Sequence, residues 1–300
     1  MGDCSYKTVH KCPGEIREKD ENQIMGKLRF EYRMELKFSS PVSSHYFALR
    51  CVPGDSLRQK ITLNECVVEP ADYISTVEDG FGNRKLSGCC MEAHDRFGYQ
   101  ITGTAFTRGM ILQKCPLHPM YRYPSEYTRP GPRVTAFAEE VKRVCREKGA
   151  GTVMEKAVCA MEYLYEHFEY CPGTTDIGTT ADEALRLGKG VCQDYAHIMT
   201  AVMRCMEIPA RYVNGLMIGE GATHAWVEVY MDGGWYGFDP TNNLHIDEYY
   251  IKLAHGRDYG DCVVDKGRFL GNASQEQKIY VNVEEISDDR NSSIDGASGR

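Results

Sequence analysis

The chain holds 13 cysteines but no Cys-x-x-Cys pair. Without that spacing there is no zinc knuckle and no thioredoxin-type redox motif to read. Cys4, His10 and Cys12, or Cys89, Cys90 and His94, fit no familiar zinc spacing either, so no metal or organic cofactor is expected. No stretch approaches the ~18 consecutive apolar residues of a membrane-crossing helix, and no membrane role is expected. Long basic runs are absent too. With 35 Lys and Arg against 43 Asp and Glu, the net charge is −8, a poor balance for holding nucleic acid or an anionic membrane. Residues 1–20 have no apolar signal-peptide core, and Tyr6 stands where a myristoylation signal needs Ser or Thr. An odd cysteine count without an export signal predicts mostly buried free thiols in a reducing compartment, the cytoplasm. Tryptophan is scarce: Trp226 and Trp235 are the only two.

The 42% hydrophobic and 26% charged content of the 300 residues is that of an ordinary globular chain of one or two domains. Leu28, Phe30, Tyr32, Met34, Leu36 and Phe38 alternate with polar neighbours, the period of a half-buried strand. Further β-rich runs surround residues 46–51, 59–68 and 100–106. Ser39-Ser-Pro41, Pro53-Gly-Asp55 and Asp79-Gly-Phe-Gly-Asn83 read as breaks between them. This is the pattern of an antiparallel sandwich or barrel. Five prolines within 116–132 predict an extended connector. Helices are predicted over 134–148, from a Thr152 cap to about Phe168, and over 180–186.

Gly188-Lys-Gly-Val-Cys192 precedes an apolar-periodic stretch from Ala196 to Met206, which places Cys192 in the first turn of a helix. Unpaired N–H groups and the positive end of the helix dipole stabilise a thiolate there. Taken alone, Cys192 is equally readable as a small buried apolar residue. Downstream, two alternating strands, His224–Met231 and Trp235–Asp239, flank Asp232-Gly233, a strong two-residue hairpin signal. That turn pairs residues whose numbers sum to 465. His224 then faces Thr241, Asp239 faces Trp226, and His224 and Asp239 become diagonal neighbours ~7–8 Å apart on one sheet face. His224 alone reads as a packed histidine, and Asp239 as a turn residue before Pro240. Together, a helix-start thiol and a His–Asp pair form the set of nucleophile, base and orienting group.

Gly190-Val-Cys-Gln-Asp-Tyr-Ala-His197, Ile208-Pro-Ala-Arg-Tyr-Val213, His224-Ala-Trp-Val-Glu-Val229 and Trp235-Tyr-Gly-Phe-Asp-Pro-Thr241 closely resemble the transglutaminase-like core. This is the branch of the papain-like cysteine enzymes whose bacterial members are candidate cysteine proteases. Ser40-Pro-Val-Ser43, Asp79–Asn83 and the His94 region resemble the β-rich N-terminal domain that accompanies the bacterial core, and Ala254–Asp261 resembles its C-terminal portion. The resemblance implies an α+β fold, a papain-like core of helices on an antiparallel sheet preceded by an antiparallel β-rich domain. The implied division is a polar extension at 1–25, the β domain at 26–115, the connector at 116–132, the core with its C-terminal portion at 133–285 and a disordered tail at 286–300. The family's nucleophile, base and third member fall on Cys192, His224 and Asp239. Animal transglutaminases place an oxyanion-binding Trp upstream of the Cys. No Trp lies there in this chain, and Tyr170 is the candidate in its place.

The expected reaction is acyl transfer on a peptide or protein amide through a thioester. Hydrolysis is favoured, as a cysteine protease, peptidase or amidase. A transglutaminase with an amine acceptor, or a non-catalytic peptide-binding module, are the alternatives. Asp194 with His197, and Arg257 with Asp258, are expected to form structural polar pairs. Trp226 and Tyr230 are expected to pack on the face that carries His224.

Overall fold

The computed structural model describes residues 25–109 and 113–286; the expected polar extension (all but Met25), the tail beyond residue 286, and Cys4, His10 and Cys12 lie outside them. The chain opens with strands β1 (Met25–Leu49), β2 (Gln59–Glu69), β3 (Tyr73–Glu78), β4 (Arg84–Cys90), β5 (His94–Arg108) and β6 (Gln113–Lys114). Helices α1 (Pro132–Glu147) and α2 (Val153–His167) follow, then β7 (Glu169–Tyr170), α3 (Ala181–Leu187), β8 (Lys189–Gly190) and α4 (Cys192–Cys205). The remainder is β9 (Ala210–Met217), β10 (Gly219–Gly221), β11 (His224–Met231), β12 (Gly234–Asp239), β13 (Leu244–His245), β14 (Tyr250–Gly256), α5 (Tyr259–Cys262), β15 (Asp265–Leu270) and β16 (Gln275–Glu285).

Alternation makes β1 the spine of an eight-stranded antiparallel layer. Its first half pairs with β5 and β16, its second half with β4 and β15. The inward Leu28, Phe30, Tyr32, Met34 and Phe38 are buried in the core enclosed by this layer. Ser39-Ser-Pro41 does not end the strand as expected. β1 runs through it with register shifts on either side, and Ser44 takes a positive φ of 47°. Pro41 falls within a register shift, where no ladder hydrogen bond depends on its missing N–H. The C-terminal strands also depart from expectation. β15 and β16 join the N-terminal layer rather than the core, because both edges of β1 need partners and the eleven residues of β16 match Leu28–Phe38 one for one.

The second sheet runs β13-β12-β11-β9-β14, with β6 beside β12. Helices α1 to α4 cover one face over a core that includes Ala225, Val227, Val229 and Phe238. Capping boxes start α2 at Thr152 and α3 at Thr180. The β11–β12 hairpin pairs Val227 with Phe238 and Met231 with Gly234, the register set by Asp232 (φ 51°) and Gly233 (φ 81°).

The other face of this sheet meets the β-layer. Leu216, Ile251 and Leu253 enter the layer's core. Gln59 donates to and accepts from the Lys252 backbone at 2.8 Å each way, and Asn83 does the same with His255 at 2.9 Å. The connector is not wholly extended. It contains a 3₁₀ turn at Pro119–Arg122 and is stitched down by buried Arg204, which donates to Thr128 Oγ1 at 2.7 Å and to the Tyr121, Ala210 and Arg257 carbonyls.

Candidate active site

Cys192 occupies the first position of α4, where its backbone N–H has no acceptor within the helix. Asp194 builds this start. Its buried carboxylate accepts from the Val191 N–H at 2.7 Å and from Thr175 Oγ1 at 2.7 Å. Gly190 is required beside it, since a Cβ there would sit 2.3 Å from Asp194 Oδ2. Burial pushes the Asp194 carboxyl above the usual range, and the two hydrogen bonds oppose that push.

His224 begins β11 opposite Gly215. A Cβ at Gly215 would meet the Trp226 ring and the Ile251 carbonyl oxygen at 2.3 Å each, so glycine on β9 leaves room for the indole of the strand that carries His224. His224 Nε2 donates to Asp239 Oδ2 at 2.7 Å, across the hairpin diagonal. Cys192 lines the same cleft as His224 and helps hold the charged ring, and with Nε2 given to Asp239, Nδ1 is the ring nitrogen left for the sulfur. Burial works against charging the ring, but the Asp239 charge and hydrogen bond outweigh it and, with Cys192, raise the His224 pKa to about 10. Asp239 is fully buried. Burial disfavours its charge, yet His224, Asn242 and Tyr250 hold it below the usual carboxylate range.

Asp239 is surrounded by donors that the sequence reading did not identify. Oδ2 accepts from Asn242 Nδ2 at 2.7 Å and from the Tyr250 hydroxyl at 2.9 Å. Oδ1 accepts from the Thr241 and Asn242 backbone N–H groups at 3.0 and 3.3 Å. Asp239-Pro-Thr-Asn242 carries a turn signal that could have found the backbone donors. Tyr250 lies on β14, and nothing local marks it.

Tyr170, half exposed, lines the same cleft as Cys192 and His224, a cavity of about 90 Å³. β7 is held there by parallel pairing with β8, directly before Cys192. The wall across the cleft is β10, another feature missed in the sequence.

Other expectations are corrected. Asp194 and His197 do not pair. His197 Nε2 accepts from the Tyr259 N–H at 3.1 Å, its ring stacks on Tyr127, and burial pushes its pKa down to about 3. Arg257 pairs with Asp261 at 2.8 Å rather than with Asp258, which caps α5 and accepts from the Tyr127 N–H. One helical turn puts Asp261 within the arc of the guanidinium, whereas the side chain of the adjacent residue points away. Trp226 and Tyr230 do pack: Trp226 against Tyr250, and Tyr230 against Trp235 with its hydroxyl on the Cys115 carbonyl.

Two family models match the chain: the bacterial transglutaminase-like N-terminal region over residues 28–105 and the transglutaminase-like superfamily core over 136–240. An uncharacterized protein of Mycobacterium tuberculosis is 30% identical, over 86% of this chain and 92% of its own length. One from Mycobacterium leprae is 27% identical, over 86% and 99%. The crystal structure of a candidate cysteine protease from Cytophaga hutchinsonii superposes with a TM-score of 0.70 at 25% identity, over 89% of this chain and 92% of that one. The chain thus belongs to the transglutaminase-like superfamily, with the bacterial N-terminal region preceding its core.

Proposed function

We propose that the protein is a thiol-dependent hydrolase of peptide or protein amides. The observation that carries this reading is the 2.7 Å bond from His224 to buried Asp239 in the cleft that also holds Cys192 at the start of its helix. Asp239 accepts the Nε2 proton and keeps Nδ1 facing the sulfur, so the imidazole takes the thiol proton and an imidazolium–thiolate pair forms. The sulfur attacks the amide carbon. The Cys192 N–H, with the Tyr170 hydroxyl as second donor, receives the oxyanion. When the C–N bond breaks, His224 passes its Nδ1 proton to the leaving amine and an acyl-thioester remains. Water then attacks the thioester with His224 as base, which releases the carboxylic acid and restores the thiol.

The likeness to the Cytophaga hutchinsonii candidate cysteine protease supports water, rather than an amine, as the resolving nucleophile. The described cysteines are free thiols, which supports a reducing compartment such as the cytoplasm. The full chain, incubated with peptide libraries and read by mass spectrometry, should yield cleaved peptides with free carboxyl ends, and Cys192→Ala should yield none. Products joined to an added primary amine instead would establish the transglutaminase alternative. Binding without any covalent change would establish the peptide-binding module.

A further inference from the structure

β10 lies at one end of the eight-stranded layer. It pairs with β16 through Gly219–Val283, Glu220–Asn282 and Gly221–Val281, and no other described strand pairs with it. All three β10 residues line the cleft that holds Cys192 and His224. A strand edge presents its backbone N–H and C=O groups to whatever comes alongside, and an extended peptide satisfies them by adding as a further strand. Here glycines flank the edge position. Gly219 adopts φ 113°, and no atom lies within 4 Å of where its Cβ would stand, so a second main chain can approach closely.

Between the glycines stands Glu220. It is exposed, and it makes no hydrogen bond or ion pair among the described residues. Apart from the candidate pair Cys192 and His224, whose proposed charges offset one another, the other residues lining the cleft carry no charge: Tyr170, Met217, Ile218, Gly219, Gly221, Ala222, Thr223 and Val281. The cleft therefore offers a mixed wall, its apolar part made by Met217, Ile218, Ala222 and Val281, with a single carboxylate on one lip. A long hydrocarbon ending in a cation complements that arrangement, its stem against those apolar side chains and its head at the carboxylate.

Building on the reading of Cys192 as nucleophile, we infer that the substrate is an extended peptide lying along the open edge of β10, with a lysine or arginine side chain beside the reacting amide selected by Glu220. The β-layer thereby takes part in substrate choice, because β16 of that layer holds β10 against the cleft.

The test uses acetylated peptidyl chloromethyl ketones, which form an S–C bond with the thiolate and release chloride. Lysine, norleucine or glutamate occupies the first or second residue from the reactive carbon, and labelling of Cys192 is timed by intact mass. The lysine reagent should label roughly three- to tenfold faster than norleucine, which has the same stem without the charge, and glutamate should be slowest. Glu220→Gln should bring the lysine-to-norleucine ratio to about one, and Glu220→Lys should reverse the order, with circular dichroism confirming that both variants fold. N-methylation of one backbone amide in the lysine reagent should slow labelling. Equal lysine and norleucine rates in the unaltered protein, or a ratio that Glu220→Gln leaves intact, would overturn the selection by charge. N-methylation without effect at every position would overturn the strand alignment. If neither these reagents nor neutral iodoacetamide labels Cys192, the nucleophile assignment fails, and this inference with it.

Discussion

Asp239→Asn replaces one oxygen of a fully buried carboxylate by an NH₂ group and removes its charge. The surrounding donors decide how the new carboxamide sits. The backbone N–H groups of Thr241 and Asn242 cannot become acceptors, so the amide oxygen must stay on their side. The NH₂ then replaces Oδ2 and faces His224, Asn242 and Tyr250. Asn242 can flip its own amide, and Tyr250 can accept through its hydroxyl oxygen. His224 can accept only by giving up its Nε2 proton, which leaves the neutral ring with its proton on Nδ1, against the sulfur. The variant should therefore fold, while its imidazole no longer receives the thiol proton. A hydrogen bond to a charged partner is worth ~1.5–3 kcal/mol, a factor of ~10–150 in the population of the imidazolium–thiolate pair. Turnover should fall by on the order of 10⁴, since both thiol activation and leaving-group protonation suffer. The assay is the second-order rate of iodoacetamide alkylation at Cys192 between pH 5 and 8, with thermal melting alongside. An alkylation profile equal to that of the unaltered protein, with the fold intact, would refute this account of Asp239.

Near neutral pH, Cys192 should alkylate before any other cysteine, as read by peptide mapping; first labelling at a different thiol would sink the nucleophile assignment. The raised His224 pKa predicts a pH-dependent stability. Folded His224 titrates near 10 and an unfolded histidine near ~6.5, so the pair's contribution is whole below ~6.5 and is lost as pH rises through 10. The melting temperature should decline over that window, and more gently in His224→Gln. Arg204→Ala should cost about 3–5 kcal/mol in urea unfolding, because the Ala210 and Arg257 carbonyls and Thr128 lose a buried donor; a loss under ~1 kcal/mol would show that the connector needs no such anchor. Proteolytic cutting within residues 116–132 should leave the fragments associated in gel filtration, through the Gln59–Lys252 and Asn83–His255 bonds and the shared apolar contact.

The features legible in the sequence are those that short-range chemistry enforces. A two-residue period makes Leu28 to Phe38 a strand, because only alternation buries one face. Asp232-Gly233 accepts the positive φ angles of a tight hairpin, and this sets the register that brings His224 and Asp239 together. Thr152 caps its helix through the residue three positions ahead, and glycines before Cys192 precede the helix that carries it. Partners supplied by distant chain were not legible. Tyr250 reaches Asp239 from another strand, Gln59 and Asn83 find backbone edges about 170–190 residues away, and β16 returns to pair with the first strand. Ser39-Ser-Pro41 has the composition of a break but lies in one continuous strand, since the pairing on either side of it outweighs local preference. The hydrogen-bonding capacity of a side chain is written in its residue type, but which buried group satisfies it depends on how the two sheets close over one another, and that is decided only in the folded chain.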